Sequence, residues 1–135
     1  MTKSFAYLRL SGLGQAAKGK DGFVRQREVI TSYAAANGLE VIQWFEDAGV
    51  SGTRDTFDRE QLTELFVALK SNGIKLVLTE NSDRIGRDLM VSEIILSEFR
   101  KIGVKVIAAD SGQDLTVSDD EPTRKLIRQI LGAIS

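Results

Sequence analysis

The amino-acid sequence predicts a three-layer α/β fold, in which a mostly parallel central sheet is flanked by helices. Short apolar runs typical of strands alternate with longer segments whose apolar residues recur at helical spacing. Because a helical segment separates successive strands, right-handed βαβ units and a sheet covered on both faces are favoured. The chain has 135 residues and shows no repeat, low-complexity tract or internal boundary, so one domain is expected over residues 1–135.

Each element is predicted from a local pattern. The strands are short apolar runs, and the first three helices end where Gly38, Gly73 and Gly103 follow the periodic residues. A last helix is expected after the acidic segment 118–121, with Pro122 in its first turn. The expected strands cover residues 5–10, 41–45, 74–79 and 104–108, and the expected helices before the last one cover 23–37, 59–72 and 87–102.

The composition excludes several kinds of site. The chain has no Cys and no His, which excludes disulfides, thiolate sites and the usual zinc sites. It carries neither a signal-peptide pattern nor an apolar run of the roughly 18 to 20 residues that a membrane span needs, so a reducing cytoplasm is its expected setting. Eighteen Lys and Arg against nineteen Asp and Glu give a net charge of −1, so the chain lacks the bulk positive charge of a compact nucleic-acid binder. Chemistry on DNA would therefore depend on a local site.

The end of the first expected strand carries two candidate site residues. Side chains alternate along a strand, so Arg9 and Ser11 are expected on one face, about 7 Å apart. An Arg in a central apolar strand is costly to bury unless it meets an anion. The alternative is that Arg9 pairs with a carboxylate and that Ser11 only begins the following loop.

A second group of candidates follows the third expected strand. Ser82 or Asp83 is a plausible N-cap for the next helix, which would place Arg84 and Arg87 on one face near its first turn. A helix N-terminus already carries partial positive charge, so two arginines there indicate a bound anion such as a phosphate. In the alternative interpretation, Asp83 and Asp88 neutralise the arginines as surface pairs.

Three further features concern the first helix and the second long loop. Gln26 lies inside the apolar stripe of its helix, so its amide is expected either to bond nearby backbone or to enter a site. The segment from Asp47 to Thr53, which includes Ser51, is expected to form a loop that continues to Asp58. Asp58 is the simplest cap for the helix that follows, with Arg59 exposed.

Together these residues resemble the serine site-specific recombinases of the resolvase/invertase family. The family pattern Tyr-x-Arg-x-Ser is met at the first strand end, and its Asp-Arg-Leu-Gly-Arg-Asp motif appears with Ile85 in place of Leu. Asn81-Ser82 departs from the basic and apolar residues that are more common there, and Gln15 matches a second family Gln only loosely. The matching positions are Tyr7, Arg9, Ser11, Gln26, Asp47, Ser51, Gly52, Arg59, Asp83, Arg84, Arg87 and Asp88.

The resemblance implies a resolvase-like catalytic domain that cleaves and rejoins DNA. Ser11 would attack a backbone phosphodiester and form a 5′-phosphoserine intermediate, with no metal or other cofactor. Arg9, Arg84, Arg87 and Arg59 would stabilise the phosphoryl charge. Asp83 would orient an arginine or assist proton transfer.

The resemblance also implies partners. These are double-stranded DNA, a second copy in a homodimer, and a tetramer during synapsis, with no membrane. The last helix has no stop signal before Ser135, so it is expected to begin a longer helix that leads to a DNA-binding segment absent from this chain. The fragment alone is then expected to be inactive.

Other classes of protein fit less well. A receiver-type regulatory module would need acidic residues where the first strand carries Arg9. A nucleotide-binding enzyme would need a G-x-x-x-x-G-K or G-x-G-x-x-G sequence, and neither occurs. A non-catalytic assembly module with the same fold is the remaining alternative. Intact Ser11 and the four arginines argue against it.

Overall fold

A computed structural model describes residues 1–10, 22–48, 59–117 and 122–134. The described part contains five strands and five helices. The strands are β1 (Thr2–Leu10), β2 (Leu39–Ala48), β3 (Leu76–Thr79), β4 (Lys105–Ala108) and β5 (Gln113–Asp114). The helices are α1 (Phe23–Ala36), α2 (Glu60–Asn72), α3 (Ser82–Ile85), α4 (Leu89–Lys101) and α5 (Pro122–Ile134).

The strands form one sheet in the order β2-β1-β3-β4-β5. The first four pair in parallel, and β5 pairs with β4 in the antiparallel sense. Strand β1 lies between β2 and β3, and β3 pairs with it only at Phe5 and Ala6. The predicted mostly parallel sheet is confirmed, while the short strand β5 has no apolar run that would have predicted it.

Each face of the sheet carries its own core. The alternation of β1 directs Phe5 and Tyr7 into a cluster with apolar residues of α2 and α4, and Ala6 and Leu8 into a cluster with α1. Helices therefore cover both faces, as the sequence predicts for three layers. Gly73 and Gly103 follow their helices with φ of 71°, a left-handed conformation that glycine adopts without steric cost.

The link between β3 and the long helix α4 differs from the prediction. The sequence predicts one helix over 87–102, with Ser82 or Asp83 as its cap. Instead, Asn81 caps the four-residue helix α3, and Asp88 caps α4 by accepting hydrogen bonds from the N–H groups of Met90 and Val91. Gly86 lies between the two helices, where a Cβ atom would be 2.9 Å from the Ser92 nitrogen. The close approach of this link to α4 requires glycine.

Helix α5 contacts α4 through both apolar and charged side chains. Ile127 is buried, whereas Leu126 and Ile130 are 55% and 48% exposed. The buried carboxylate of Glu93 on α4 accepts hydrogen bonds from Arg124 and Arg128 of α5, at 3.3 and 3.5 Å. No described helix is long and apolar enough to span a membrane.

Candidate active site

The backbone of Arg9, one residue before the end of β1, is the meeting point of three elements. Its N–H donates to Gln26 Oε1 at 3.2 Å, and its carbonyl accepts from Gln26 Nε2 at 3.0 Å. The same carbonyl accepts from Arg84 Nη1 at 3.1 Å. The structure therefore brings together three predicted site residues, from β1, α1 and α3. Gln26 is fully buried and bonds a strand 17 residues away in sequence rather than its local backbone.

Arg59 extends this group. Its Nη1 donates to the backbone carbonyl of Arg84 at 3.2 Å, and the residue is only 4% exposed. The expectation that Arg59 is exposed is therefore wrong. The helical pattern places Arg59 at the start of α2. It does not show that this residue packs against Arg84, which follows β3.

Asp47 connects the end of β2 to the start of α2. Its Oδ1 accepts from the Gln61 N–H and its Oδ2 from the Leu62 N–H, both at 2.9 Å. Asp47 thus satisfies free backbone donors at the helix N-terminus, the role that the sequence assigns to Asp58. Asp58 lies outside the described residues. Asp47 itself belongs to β2 rather than to a loop, because the strand continues to Ala48.

Tyr7 lies between Asp47 and Arg59. Its hydroxyl donates to Asp47 Oδ2 at 2.8 Å. Burial raises the pKa of Tyr7 far above its usual value, the positive charge of Arg59 opposes this rise, and the negative charge of Asp47 adds to it. The phenol therefore stays protonated and acts as a fixed hydrogen-bond donor.

Glu80 is a site residue that the sequence analysis does not single out. It follows β3 directly and accepts hydrogen bonds from Arg84 Nε at 3.0 Å and Arg84 Nη2 at 2.8 Å. Arg25 also pairs with it from α1, through Nη2 at 3.0 Å and through Nη1. Burial raises the pKa of Glu80, but the hydrogen bonds and charges of Arg25 and Arg84 outweigh burial and lower it overall. The signal in the sequence is an acidic residue at the end of a buried strand, four residues before an arginine.

The remaining predicted residues are less enclosed or lie outside the description. Asp83 and Arg87 are both exposed, Asp83 in α3 and Arg87 in the link before α4. Because the helix is interrupted at Gly86, Arg84 and Arg87 do not share one face of a single first turn. Ser11, Gln15, Ser51 and Gly52 lie outside the described residues.

The described site has a cationic excess. The guanidinium groups of Arg84 and Arg59 donate to the backbone of Arg9 and of Arg84, near the carboxyl ends of β1 and β3, where α/β sheets commonly bind ligands. Guanidinium groups held in this way suit the recognition of phosphate oxygens. Among residues 1–10, 22–48, 59–117 and 122–134, no group of three or more Asp or Glu is placed to hold a metal ion.

Comparisons with known proteins bear on the family and the fold of the chain. The family described as "Resolvase, N terminal domain" matches residues 4–135. The N-terminal catalytic domain of TP901-1 integrase has a similar structure, with a TM-score of 0.75 and 23% sequence identity over 98% of this chain and 96% of that chain. A resolvase family site-specific recombinase from Streptococcus pneumoniae gives a TM-score of 0.72 and 21% identity over 99% of this chain and 88% of that chain.

A third solved structure is similar to a smaller degree. The C-terminal catalytic domain of ISC1926 TnpA, an IS607-like serine recombinase, gives a TM-score of 0.65 and 24% identity over 98% of this chain and 80% of that chain. At these identities the structures support the fold, whereas the family match covers almost the whole sequence. The chain belongs to the resolvase family of serine site-specific recombinases, and the match corresponds to the N-terminal domain of that family.

Proposed function

We propose that this chain is a catalytic domain that cleaves and rejoins DNA in site-specific recombination, with Ser11 as the nucleophile. The observation that carries the proposal is the hydrogen bond from Arg84 to the carbonyl of Arg9, which lies two residues before Ser11 in the sequence. It brings the arginine of the Asp-Arg-Ile-Gly-Arg-Asp segment to the strand end that precedes the serine. Membership of the resolvase family supports the same assignment.

The proposed step is an exchange of one phosphate ester for another. Ser11 Oγ loses its proton and attacks the phosphorus, the bond from phosphorus to the 3′ oxygen breaks, and the leaving oxygen takes up a proton to become a 3′-hydroxyl, so that no net proton is gained or lost. The DNA 5′ end remains attached to the serine as a phosphoserine ester. Attack by a new 3′-hydroxyl reverses the step and rejoins the strands. Because the covalent link conserves the ester bond, the step needs no nucleotide cofactor, and we propose that it needs no metal.

The surrounding residues have different roles in this proposal. Arg9, Arg59, Arg84 and Arg87 stabilise negative charge on the phosphoryl oxygens. Gln26 holds the Arg9 backbone in place and does not touch DNA. The exposed Asp83 orients an arginine or transfers the proton to the leaving oxygen. Tyr7 on β1 bonds Asp47 on β2, which in turn holds the start of α2. Ser51 is assigned a supporting role from its place in the sequence after β2.

Double-stranded DNA and further copies of the chain are the proposed partners. A net charge of −1 provides little counterion release on DNA, so specific binding is assigned to a segment beyond Ser135. The exposed Leu126 and Ile130 of α5 support pairing of subunits as a homodimer, which would assemble into a tetramer at synapsis. The 135-residue chain alone is then expected to fold without recombining DNA.

The test is covalent capture of DNA by the full-length protein that carries this domain. Wild-type protein, Ser11→Ala and the control Ser71→Ala, which alters a serine on exposed α2 surface, are incubated with labelled DNA bearing the crossover site. Denaturing electrophoresis should show a protein–DNA adduct for wild type and Ser71→Ala and none for Ser11→Ala. All three should bind the site equally in native gels. An adduct with Ser11→Ala would exclude Ser11 as the nucleophile, and binding without any adduct by wild type would favour a non-catalytic assembly module.

A further inference from the structure

Glu80 is bonded by two arginines that come from different elements. Arg84 from α3 gives its carboxylate two hydrogen bonds, and Arg25 from α1 pairs with the same group. Glu80 is only 3% exposed. A buried carboxylate costs free energy unless it is paired and hydrogen-bonded, so this arrangement depends on both arginines.

The bonds of Arg84 define the orientation of its guanidinium group. Nε and Nη2 donate to Glu80 Oε1 at 3.0 and 2.8 Å, and Nη1 donates to the Arg9 carbonyl at 3.1 Å. The group is planar, so acceptors on two of its sides fix both its plane and its rotation. Of the five N–H donors of an arginine, one on Nη1 and one on Nη2 remain outside these three bonds. Two such donors form a fork that matches two oxygens of a phosphate.

Proton transfer by Glu80 is the alternative role for a buried acid beside a phosphoryl site. A general acid working near neutral pH needs a raised pKa. The pKa of Glu80 is lowered instead, because the arginine hydrogen bonds outweigh the effect of burial. Glu80 therefore remains a charged hydrogen-bond acceptor at neutral pH, which suits a residue that holds a cation in place.

We infer that Glu80 is a positioning residue, which holds the Arg84 guanidinium in the orientation that binds the phosphodiester. The inference rests on the proposed function, in which Arg84 stabilises phosphoryl charge. Glu80 acts through Arg84 and does not contact DNA. Its carboxylate also offsets part of the repulsion between Arg25 and Arg84, which would otherwise separate the two cations.

The first experiment changes the charge of Glu80 while keeping its shape. In the full-length protein, Glu80→Gln should lower the single-turnover rate of adduct formation by roughly 10- to 100-fold, because a misoriented catalytic group loses rate steeply. Binding to the crossover site should not weaken, since a negative charge near DNA has been removed. The matched control is Glu98→Gln, which makes the same change at a residue whose side chain is 53% exposed and pairs with Lys101. This control should keep the wild-type rate.

The second experiment tests whether Glu80 acts through Arg84. A double variant with Glu80→Gln and Arg84→Lys should cleave at the rate of Arg84→Lys alone, because the group that Glu80 orients is already lost. Glu80→Asp keeps the charge at a shorter reach and should recover part of the rate lost in Glu80→Gln. Thermal unfolding of every variant shows which of them fold.

Each result supports or overturns the assignment. A wild-type rate in Glu80→Gln, or losses that multiply in the double variant, would overturn it. Failure of both Glu80 variants to fold would also overturn it, in favour of a purely structural role. Absence of an adduct with wild-type protein would instead refute the proposed function itself. The two failures are therefore distinguishable.

Discussion

The side-chain amide of Gln26 makes two hydrogen bonds to the backbone of Arg9. These are the bonds that a neighbouring strand would otherwise make there. Its Oε1 accepts from the Arg9 N–H at 3.2 Å, and its Nε2 donates to the Arg9 carbonyl at 3.0 Å. Strand β3 pairs with β1 only at Phe5 and Ala6, so Gln26 provides the partner that the shorter strand does not. The end of β1, two residues before Ser11 in the sequence, is thus held by an amide from α1.

Replacing Gln26 tests this relationship. Gln26→Leu should lower the free energy of unfolding by about 1 to 3 kcal/mol, because the buried N–H of Arg9 loses its partner. Urea denaturation of the domain measures the loss. Gln43→Leu makes the same change at an exposed position of β2 and should leave the stability nearly unchanged. Equal stability of Gln26→Leu and wild type would show that the two hydrogen bonds contribute little.

Ionisation of Tyr7 is expected to contribute to the loss of stability at alkaline pH. Burial raises the pKa of its phenol above the usual 10.0, so the folded state holds the proton more tightly than the unfolded chain does. The resulting stability is complete below about pH 10 and is lost as the pH rises above that value toward the folded-state pKa. Tyr7→Phe removes this group, so its stability should fall less steeply above pH 10 than that of wild type. Denaturant unfolding at a series of pH values measures the difference.

Tyr33→Phe is the control for that series, since it leaves Tyr7 in place. Its alkaline profile should follow the wild type. Identical slopes for Tyr7→Phe and wild type would show that the phenol does not contribute. At neutral pH, Tyr7→Phe should also cost about 1 to 3 kcal/mol, because Asp47 loses one of its donors.

Arg87 is expected to act in the transition state rather than in binding. Arg87→Lys keeps the charge but loses the planar fork, so the cleavage rate should fall by roughly two orders of magnitude or more. The affinity for the crossover site should stay close to wild type. Arg27→Lys is a suitable control, since the contacts of Arg27 are with the Trp44 ring and with Glu46, neither of which has a role in the proposed reaction. An unchanged rate with weakened binding would contradict the assignment.

The ion pairs of Glu93 are expected to hold α5 against α4. Arg100, Arg124 and Arg128 all donate to its buried carboxylate, so Glu93→Gln leaves three cations close together without their counter-charge. A local loss of about 1.4 kcal/mol would speed amide exchange in α5 roughly tenfold. Hydrogen–deuterium exchange should show this change in α5 but not in β1 or β3. Exchange in α5 equal to that of the exposed variant Glu98→Gln would show that the apolar contacts alone hold the helix.

Metal removal separates two kinds of phosphoryl transfer. The chain has no His or Cys, and arginines surround the proposed reaction, so excess EDTA should leave adduct formation unchanged. Parallel reactions with EDTA and with EDTA plus excess magnesium measure this. Cleavage that is abolished by the chelator and restored by magnesium would indicate a metal-dependent nuclease.

Sequence pattern alone determined the architecture and much of the candidate site. Apolar runs separated by helical segments predicted the parallel sheet, because the periodicity of burial depends on local backbone geometry. Two motifs placed Arg9 and Arg84 at the ends of β1 and β3, and strands of a parallel sheet end at the same edge. Ser11 and Ser51 remain predictions from the sequence.

Only the tertiary structure decided which side chains meet at that edge. Three contacts join residues that are far apart in sequence. They are the hydrogen bonds from Arg59 to Arg84 and from Gln26 to Arg9, and the ion pair of Arg25 with Glu80. Hydrophobic periodicity reports which face of an element is buried, but not how far a polar side chain reaches across a neighbouring element. The break at Gly86 has the same origin, since it depends on how closely the link approaches Ser92.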